Sequence, residues 1–115
     1  MPRQISFAMT TAQFRNQTKD VTRRNGWKNL KPGTVLMGVE KGMGLKKGEK
    51  VVRLGLIRVT SVRREPLDRI TQSDVIREGF PGLTPLGFIL MYLKHNGGSP
   101  DQEITRIEYD YLEKT

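Results

Sequence analysis

One segment, residues 51–62, constrains the fold more than any other part of the chain. Its apolar residues lie on both alternating faces of an extended strand, which is typical of a strand that is covered on both sides. We therefore expect it to be the central, bent strand of a sheet. Gly55 predicts a bulge within it, and the sequence Arg63-Arg64-Glu65-Pro66 predicts its end.

The remaining segments predict short strands interleaved with helices. Strands are expected at residues 4–9, 20–24, 34–40 and 103–112. A first helix is expected at residues 12–17, and a second from an N-cap at Thr71 or Ser73 to Arg77. A third helix is expected to begin at Thr84-Pro85 and to end at Asn96-Gly97-Gly98. The apolar stripe of the last helix is assigned to Leu86, Ile89, Leu90 and Leu93.

This order of elements, β-α-β-β-β, two helices and a closing strand, favours an α+β fold. Short, hairpin-like links predict a mixed or antiparallel sheet. We expect a small curved β-barrel with helices packed at its side. With 115 residues, residues 1–115 are expected to form a single domain.

The charge balance favours a polyanionic partner. Twenty Lys and Arg residues against twelve Asp and Glu residues give a formal net charge of +8, which favours RNA, DNA or a nucleotide. The chain has no cysteine, which excludes disulfides and thiolate sites. His95 is the only histidine, and the acidic residues show no metal-ligand spacing. We therefore expect no metal and no cofactor.

The sequence contains no apolar run of membrane-spanning length and no signal peptide at its start. We therefore expect no membrane partner and a cytoplasmic location. The oligomeric state is not predicted.

The chemistry of the chain is concentrated in residues 17–24 together with a distant carboxylate. Lys19, Thr22 and Glu78 are the residue types of a nucleophile with its base. Arg23 and Arg24 add places for a phosphate. On a regular strand, positions 19 and 22 would face opposite ways, so Lys19 must lie in the turn before the strand. Thr22 and Arg24 would then share one face.

Further residues are candidates for contact with the substrate or with nucleic acid. Residues 41–50 contain three glycines and four lysines, which predicts a loop able to follow a phosphate backbone, and Trp27 could stack on a base. The full set of candidate binding residues is Arg23, Arg24, Trp27, Lys41, Lys46, Lys47, Lys50, Arg63 and Arg64.

With these residues the chain resembles the ASCH domains, which are relatives of the PUA RNA-binding fold. Lys19 and Arg24 fit the lysine and arginine of the family pattern Gly-x-Lys-x-x-Glu-x-Arg. Gln17 stands where glycine is usual, and Thr22 stands where many members have glutamate. With a threonine at this position, the chain resembles the small bacterial ASCH proteins that hydrolyse N4-acetylcytidine.

The resemblance implies a PUA-like barrel and a catalytic set of Lys19, Thr22 and Glu78. It implies a modified nucleoside, or such a nucleoside in RNA or DNA, as the substrate of an N4-acetylcytidine amidohydrolase. Other ASCH proteins are ribonucleases or proposed RNA-binding modules. Three readings therefore stay open at this point: an amidohydrolase, a non-catalytic RNA- or DNA-binding module, and a ribonuclease.

Overall fold

The computed structural model describes residues 2–41 and 48–112. Its elements follow the expected order. They are β1 (Arg3–Ser6), α1 (Thr11–Arg15), β2 (Val21–Arg24), β3 (Val35–Val39), β4 (Arg53–Pro66), a 3-10 turn (Leu67–Arg69), α2 (Gln72–Arg77), α3 (Pro85–Asn96) and β5 (Glu103–Tyr111). The prediction of a mixed α+β fold is confirmed.

The five strands form one curled sheet in the order β1-β3-β4-β5-β2. Strand β1 pairs parallel to β3, and the other three pairs are antiparallel. The sheet is therefore mixed, as predicted. Strands β1 and β2 are its two edges, and the curl of the sheet brings Arg24 of β2 within hydrogen-bond distance of the Ser6 carbonyl of β1.

Strand β4 holds the sheet together because it pairs with β3 on one side and with β5 on the other. Gly38 lies opposite Gly55 and Val39 lies opposite Arg53, which leaves Leu54 as an extra residue. The bulge predicted near Gly55 is thus confirmed. The predicted end of the strand is wrong, since β4 continues to Pro66 by pairing its last four residues with β5.

Two apolar clusters form the core, one inside the curled sheet and one between the sheet and the helices. The first contains Ile5, Phe7, Phe14, Leu36, Ile57, Val59, Ile107 and Tyr109. The second contains Leu67, Ile70, Val75, Phe88, Ile89, Tyr92 and Ile104. The helices therefore cover one side of the sheet and leave its interior to the first cluster.

Side-chain caps begin both of the later helices. Thr71 accepts a hydrogen bond from the Asp74 amide at the start of α2, and Thr84 accepts one from the Gly87 amide at the start of α3. The predicted apolar stripe of α3 is partly wrong, because Leu86 and Leu90 are 64% and 58% exposed. The helix buries its other apolar face, which carries Phe88, Ile89 and Tyr92.

We predict that Gly38→Ala destabilises the protein. A Cβ atom at this position would lie 2.6 Å from Cζ of the buried Phe14 ring, and overpacking of a core typically costs about 1–3 kcal/mol. Urea denaturation should show a lower midpoint than for the wild type. Gly82→Ala is the matched control, since nothing lies within 4 Å of its added Cβ, and equal midpoints for the two variants would contradict the prediction.

Candidate functional site

The three residues predicted to be catalytic line one cleft. Lys19 lies just before β2, Thr22 lies within β2, and Glu78 caps the C-terminal end of α2. The position of Lys19 meets the requirement that it precede the strand. Lys19, Thr22 and Glu78 are 2%, 3% and 3% exposed, so all three line the cleft with very little contact with bulk water.

The Lys19 ammonium group donates three hydrogen bonds, which is its full capacity. Its Nζ atom lies 2.7 Å from Oε1 of Glu78, 2.9 Å from the carbonyl oxygen of Glu78 and 2.8 Å from the carbonyl oxygen of Val21. The first contact is a buried ion pair. Lys19 therefore rests as a charged donor and fixes the end of α2 to the start of β2.

Burial lowers the pKa of Lys19 below its ordinary value, because desolvation disfavours the ammonium form. The Glu78 carboxylate acts in the opposite direction, and the nearby guanidinium groups of Arg24 and Arg23 lower the pKa further. The net direction is downward. Lys19 therefore gives up a proton more readily than an exposed lysine does.

Glu78 also contacts Arg23, which likewise lines the cleft. Nη1 of Arg23 lies 3.3 Å from Oε2 of Glu78, and its Nη2 lies 3.1 Å from Oε2 of Glu65 and 2.5 Å from Oδ2 of Asp74. The Arg23 side chain is fully buried. These ion pairs fix the Glu78 carboxylate through Arg23.

Asp74 is the next member of this network and was not singled out as functional by the sequence. It accepts a bidentate pair of hydrogen bonds from Arg106, at 2.7 Å from Nε and 3.0 Å from Nη2. These bonds from Arg106, together with those from Arg23, hold the pKa of Asp74 well below its ordinary value. Asp74 therefore stays ionised between two arginines.

The network returns to its start through three more residues. Arg106 contacts Glu108 at 2.6 Å, Glu108 contacts Arg77 at 3.4 Å, and Arg77 contacts Asp20 at 2.9 Å. Asp20 follows Lys19 in the chain, and Arg77 precedes Glu78. The result is a series of seven ion pairs of alternating charge whose two end residues are neighbours in the chain. It is here called the charge ring: Lys19, Glu78, Arg23, Asp74, Arg106, Glu108, Arg77 and Asp20.

Arg24 lines the cleft without joining the charge ring. Its Nε atom donates to Oγ1 of Thr22 at 3.0 Å, and its Nη2 atom donates to the carbonyl oxygen of Ser6. The first bond confirms that Thr22 and Arg24 share one strand face. Arg24 forms no ion pair with a carboxylate of residues 2–41 or 48–112, so its charge is left for a ligand.

The cleft has a volume of about 220 Å³ and opposes this polar floor with an apolar and aromatic wall. Phe88, Met91, Tyr92 and His95 line it from α3, with Phe7 and Phe80 beside them. Tyr92 donates to Oδ1 of Asn25 at 2.7 Å, and burial raises its pKa to about 12. Tyr92 is therefore a neutral donor at physiological pH.

The sequence contains a pattern that corresponds to this wall. Positions 88, 91, 92 and 95 have the spacing of one helical face, whereas the predicted apolar stripe consists of Leu86, Ile89, Leu90 and Leu93. His95 consequently stands at the cleft, where the sequence assigned it no catalytic role.

The other candidate residues lie outside the cleft. Trp27 lines a second depression, the exposed Arg63 pairs with Glu65 at 2.6 Å, and Arg64 donates to Oγ1 of Thr105 at 2.8 Å. Lys41 and Lys50 are exposed. Lys46 and Lys47 lie outside the described residues.

The described residues offer neither a metal-binding cluster nor a membrane-spanning helix. Residues 2–41 and 48–112 contain no cluster of three His, Asp or Glu side chains that could hold a metal ion. No helix in this part of the chain combines the length and the hydropathy needed to cross a bilayer.

We predict that Asp74→Asn weakens the fold in a pH-dependent way. Breaking a buried pair costs about 3–5 kcal/mol, and we expect about 3 kcal/mol at pH 7 because the amide oxygen still accepts a hydrogen bond. The pKa of Asp74 is lowered on folding. The ionised carboxylate therefore makes its full contribution to the free energy of unfolding at pH values above the unfolded-state pKa of about 3.9. The effect declines as the pH falls below that value.

The measurement is urea denaturation of wild type and variant at pH 7 and pH 3, where the difference in the free energy of unfolding should narrow at the lower pH. Asp68→Asn, which changes an exposed aspartate, should leave both values nearly unchanged. An equal difference at the two pH values would contradict the assigned role of Asp74.

Comparison with known proteins extends the description of the fold. No family model matches the sequence, and no curated protein matches it. Protein EF3133 from Enterococcus faecalis V583, which carries the family-model name DUF984, has a TM-score of 0.69 and 15% identity, covering 97% of this chain and 77% of that chain. The hypothetical protein PH0355 has a TM-score of 0.69 and 13% identity, covering 97% of this chain and 100% of that chain. At these identities the likeness shows that this chain has the same fold as both proteins.

Proposed function

We propose that this protein is an ASCH domain of the PUA-like fold that hydrolyses an N4-acylated cytosine nucleoside. The observation that supports the proposal most directly is the meeting of Lys19, Thr22 and Glu78 in one cleft. The reaction requires a nucleophile, a base and a proton carrier close together, and these three residues, although distant in sequence, line the same cleft. The aromatic wall of α3 provides a surface for a flat base.

The first chemical step is a proton shift within the buried pair. Lys19 passes a proton to Glu78 across their 2.7 Å contact, which gives a neutral amine and a neutral carboxylic acid. Burial favours this form because it removes two charges from a poorly hydrated site. Neutral Lys19 has a lone pair that can accept the Thr22 proton.

In the second step, Oγ1 of Thr22 attacks the acyl carbonyl and gives its proton to Lys19. The bond between the carbonyl carbon and the exocyclic nitrogen breaks, and Glu78 gives its proton to the leaving amine. Lys19 is again an ammonium and Glu78 a carboxylate, so the protons balance. Water then hydrolyses the acyl-threonine by the same exchange and releases the acid.

Arg24 stabilises the negative charge that develops on the carbonyl oxygen of the acyl group during the attack by Thr22 and the later attack by water. It already donates to Oγ1 of Thr22 at 3.0 Å, and it is a cation without a described carboxylate partner. A fixed donor in a poorly hydrated site costs little reorganisation when charge develops. Arg23 and Asp74 keep Glu78 in place through their ion pairs.

A non-catalytic RNA- or DNA-binding module is the second candidate. The observation that favours it is the complete hydrogen bonding of the Lys19 ammonium, which also suits a purely structural ion pair. In that case the cleft binds a base or a phosphate, with Arg24 as its free cation, and no acyl group is released.

We predict that Thr22→Val abolishes cytidine release from N4-acetylcytidine while Thr22→Ser retains part of it. Valine keeps the shape of threonine but has no hydroxyl, and loss of such a group lowers the rate by at least about 100-fold. The measurement is chromatographic detection of cytidine, with deoxycytidine from N4-acetyldeoxycytidine and the deacetylated strand from an acetylated oligonucleotide measured in parallel.

Thr60→Val, an exposed position on β4, is the matched control and should leave the rate unchanged. Full activity of Thr22→Val would exclude Thr22 as the nucleophile. If the wild type removes the acetyl group from none of the substrates, the binding module becomes the better description.

A further inference from the structure

A second depression, distinct from the cleft, lies at the start of β1. It has a volume of about 460 Å³, and its charged and aromatic lining is provided by Arg3, Trp27, Lys28 and Lys31. None of these residues lines the cleft that contains Lys19. Trp27 thus belongs to a different surface from Arg23 and Arg24, although all three were predicted to contact nucleic acid.

The guanidinium group of Arg3 lies over the Trp27 ring, with its Cζ atom 3.9 Å from the ring centroid. Trp27 is positioned by a tight turn, since its carbonyl oxygen accepts from the Leu30 amide and its φ angle is 54°. A positive φ is costly for a bulky residue. The turn therefore presents a fixed aromatic platform that restricts Arg3 in advance of binding.

The cations around this platform are not neutralised by the protein. Arg3, Lys28 and Lys31 are exposed, and none forms an ion pair with a carboxylate in the described ranges. The buried arginines of the charge ring, by contrast, all have carboxylate partners. Three such cations, one of them the guanidinium held over Trp27, are suited to phosphate oxygens.

The depression and the cleft lie at the two ends of β1. Arg3 lines the depression and Ser6 lines the cleft, about 10 Å apart at about 3.3 Å per residue. Residues 24–27 run beside β1, because Arg24 contacts Ser6 and Trp27 contacts Arg3. A ligand that extends beyond the cleft therefore has about the length of β1 to cross before it reaches the second depression.

We propose that this second site binds the phosphate backbone of a single-stranded nucleic acid whose modified base occupies the cleft. The preferred substrate is then an acylated cytidine within an oligonucleotide, not the free nucleoside. This inference rests on the proposed function for the chemistry of the cleft. The binding of phosphate at Arg3, Lys28 and Lys31 can be tested without any reaction.

The test uses Trp27, which is the only tryptophan of the chain, as a fluorescent reporter. An unacetylated single-stranded RNA of about ten nucleotides, within the range of site sizes for such proteins, is titrated at several salt concentrations. Lys28→Gln/Lys31→Gln should make the dependence of log K on log salt less steep by about 1.4, since each single-strand phosphate contact contributes about 0.7. This variant leaves Arg3 and Trp27 unchanged.

Arg69→Gln/Lys94→Gln is the matched control, because it also removes two exposed positive charges that form no ion pair within residues 2–41 and 48–112 but lie outside this depression. Its salt dependence should equal that of the wild type. Equal slopes for the two double variants would overturn the second site. Inorganic pyrophosphate that binds the depression as tightly as the RNA would show a site for small phosphates and would overturn the assignment to a nucleic-acid backbone.

Kinetics separate this inference from the proposed function. If both are correct, Lys28→Gln/Lys31→Gln raises KM for an acetylated oligonucleotide but leaves kcat and the hydrolysis of free N4-acetylcytidine unchanged. RNA binding that depends on the two lysines, without deacetylation of any substrate, would overturn the proposed function and support the second site. Deacetylation of the oligonucleotide with the same KM in both double variants would overturn the second site alone.

Discussion

The buried ion pair between Lys19 and Glu78 is the contact on which the rest of the site depends. Two charges taken out of water are stable together only when their geometry is good and their remaining hydrogen bonds are made. Lys19 meets this condition by also donating to the carbonyl oxygens of Val21 and Glu78. A displacement of α2 relative to β2 would break the two hydrogen bonds from Lys19 to Glu78 at once, so the pair specifies how the helix docks on the edge of the sheet.

The charge ring explains how so basic a chain can bury so many ionised groups. Its four cations are balanced by four carboxylates, so it adds nothing to the net charge of +8. The excess positive charge therefore lies outside the ring, in the cleft at Arg24 and on the surface. The protein separates charges that hold its structure from charges that are free to meet a ligand, and this separation follows from the cost of burying an unpaired ion.

Local sequence predicted the elements and long-range pairing decided the details. Thr71 and Thr84 predicted helix starts because a cap depends on residues only a few positions away. The extension of β4 to Pro66 depends on β5, which begins nearly forty residues later, and no local pattern carries that information. The same reason hid the pairing of Asp74 with Arg106. Lys19, Thr22 and Glu78 could be named from a family resemblance, but only the fold shows that Lys19 is fully hydrogen-bonded.

The separation of buried and exposed charge also separates the physical variables that control stability and recognition. The ion pairs between the buried members of the charge ring are screened little by salt, and protonation of Asp74 weakens them. The attraction of surface cations such as Lys28 and Lys31 for phosphates falls with added salt. Lys19 stands between the two groups, because it is buried with the ring yet lines the cleft. Because Lys19 is already only 2% exposed, the fold itself, and not the entry of a ligand, supplies the desolvation that lowers its pKa. This desolvation favours the neutral amine that the proposed attack by Thr22 requires.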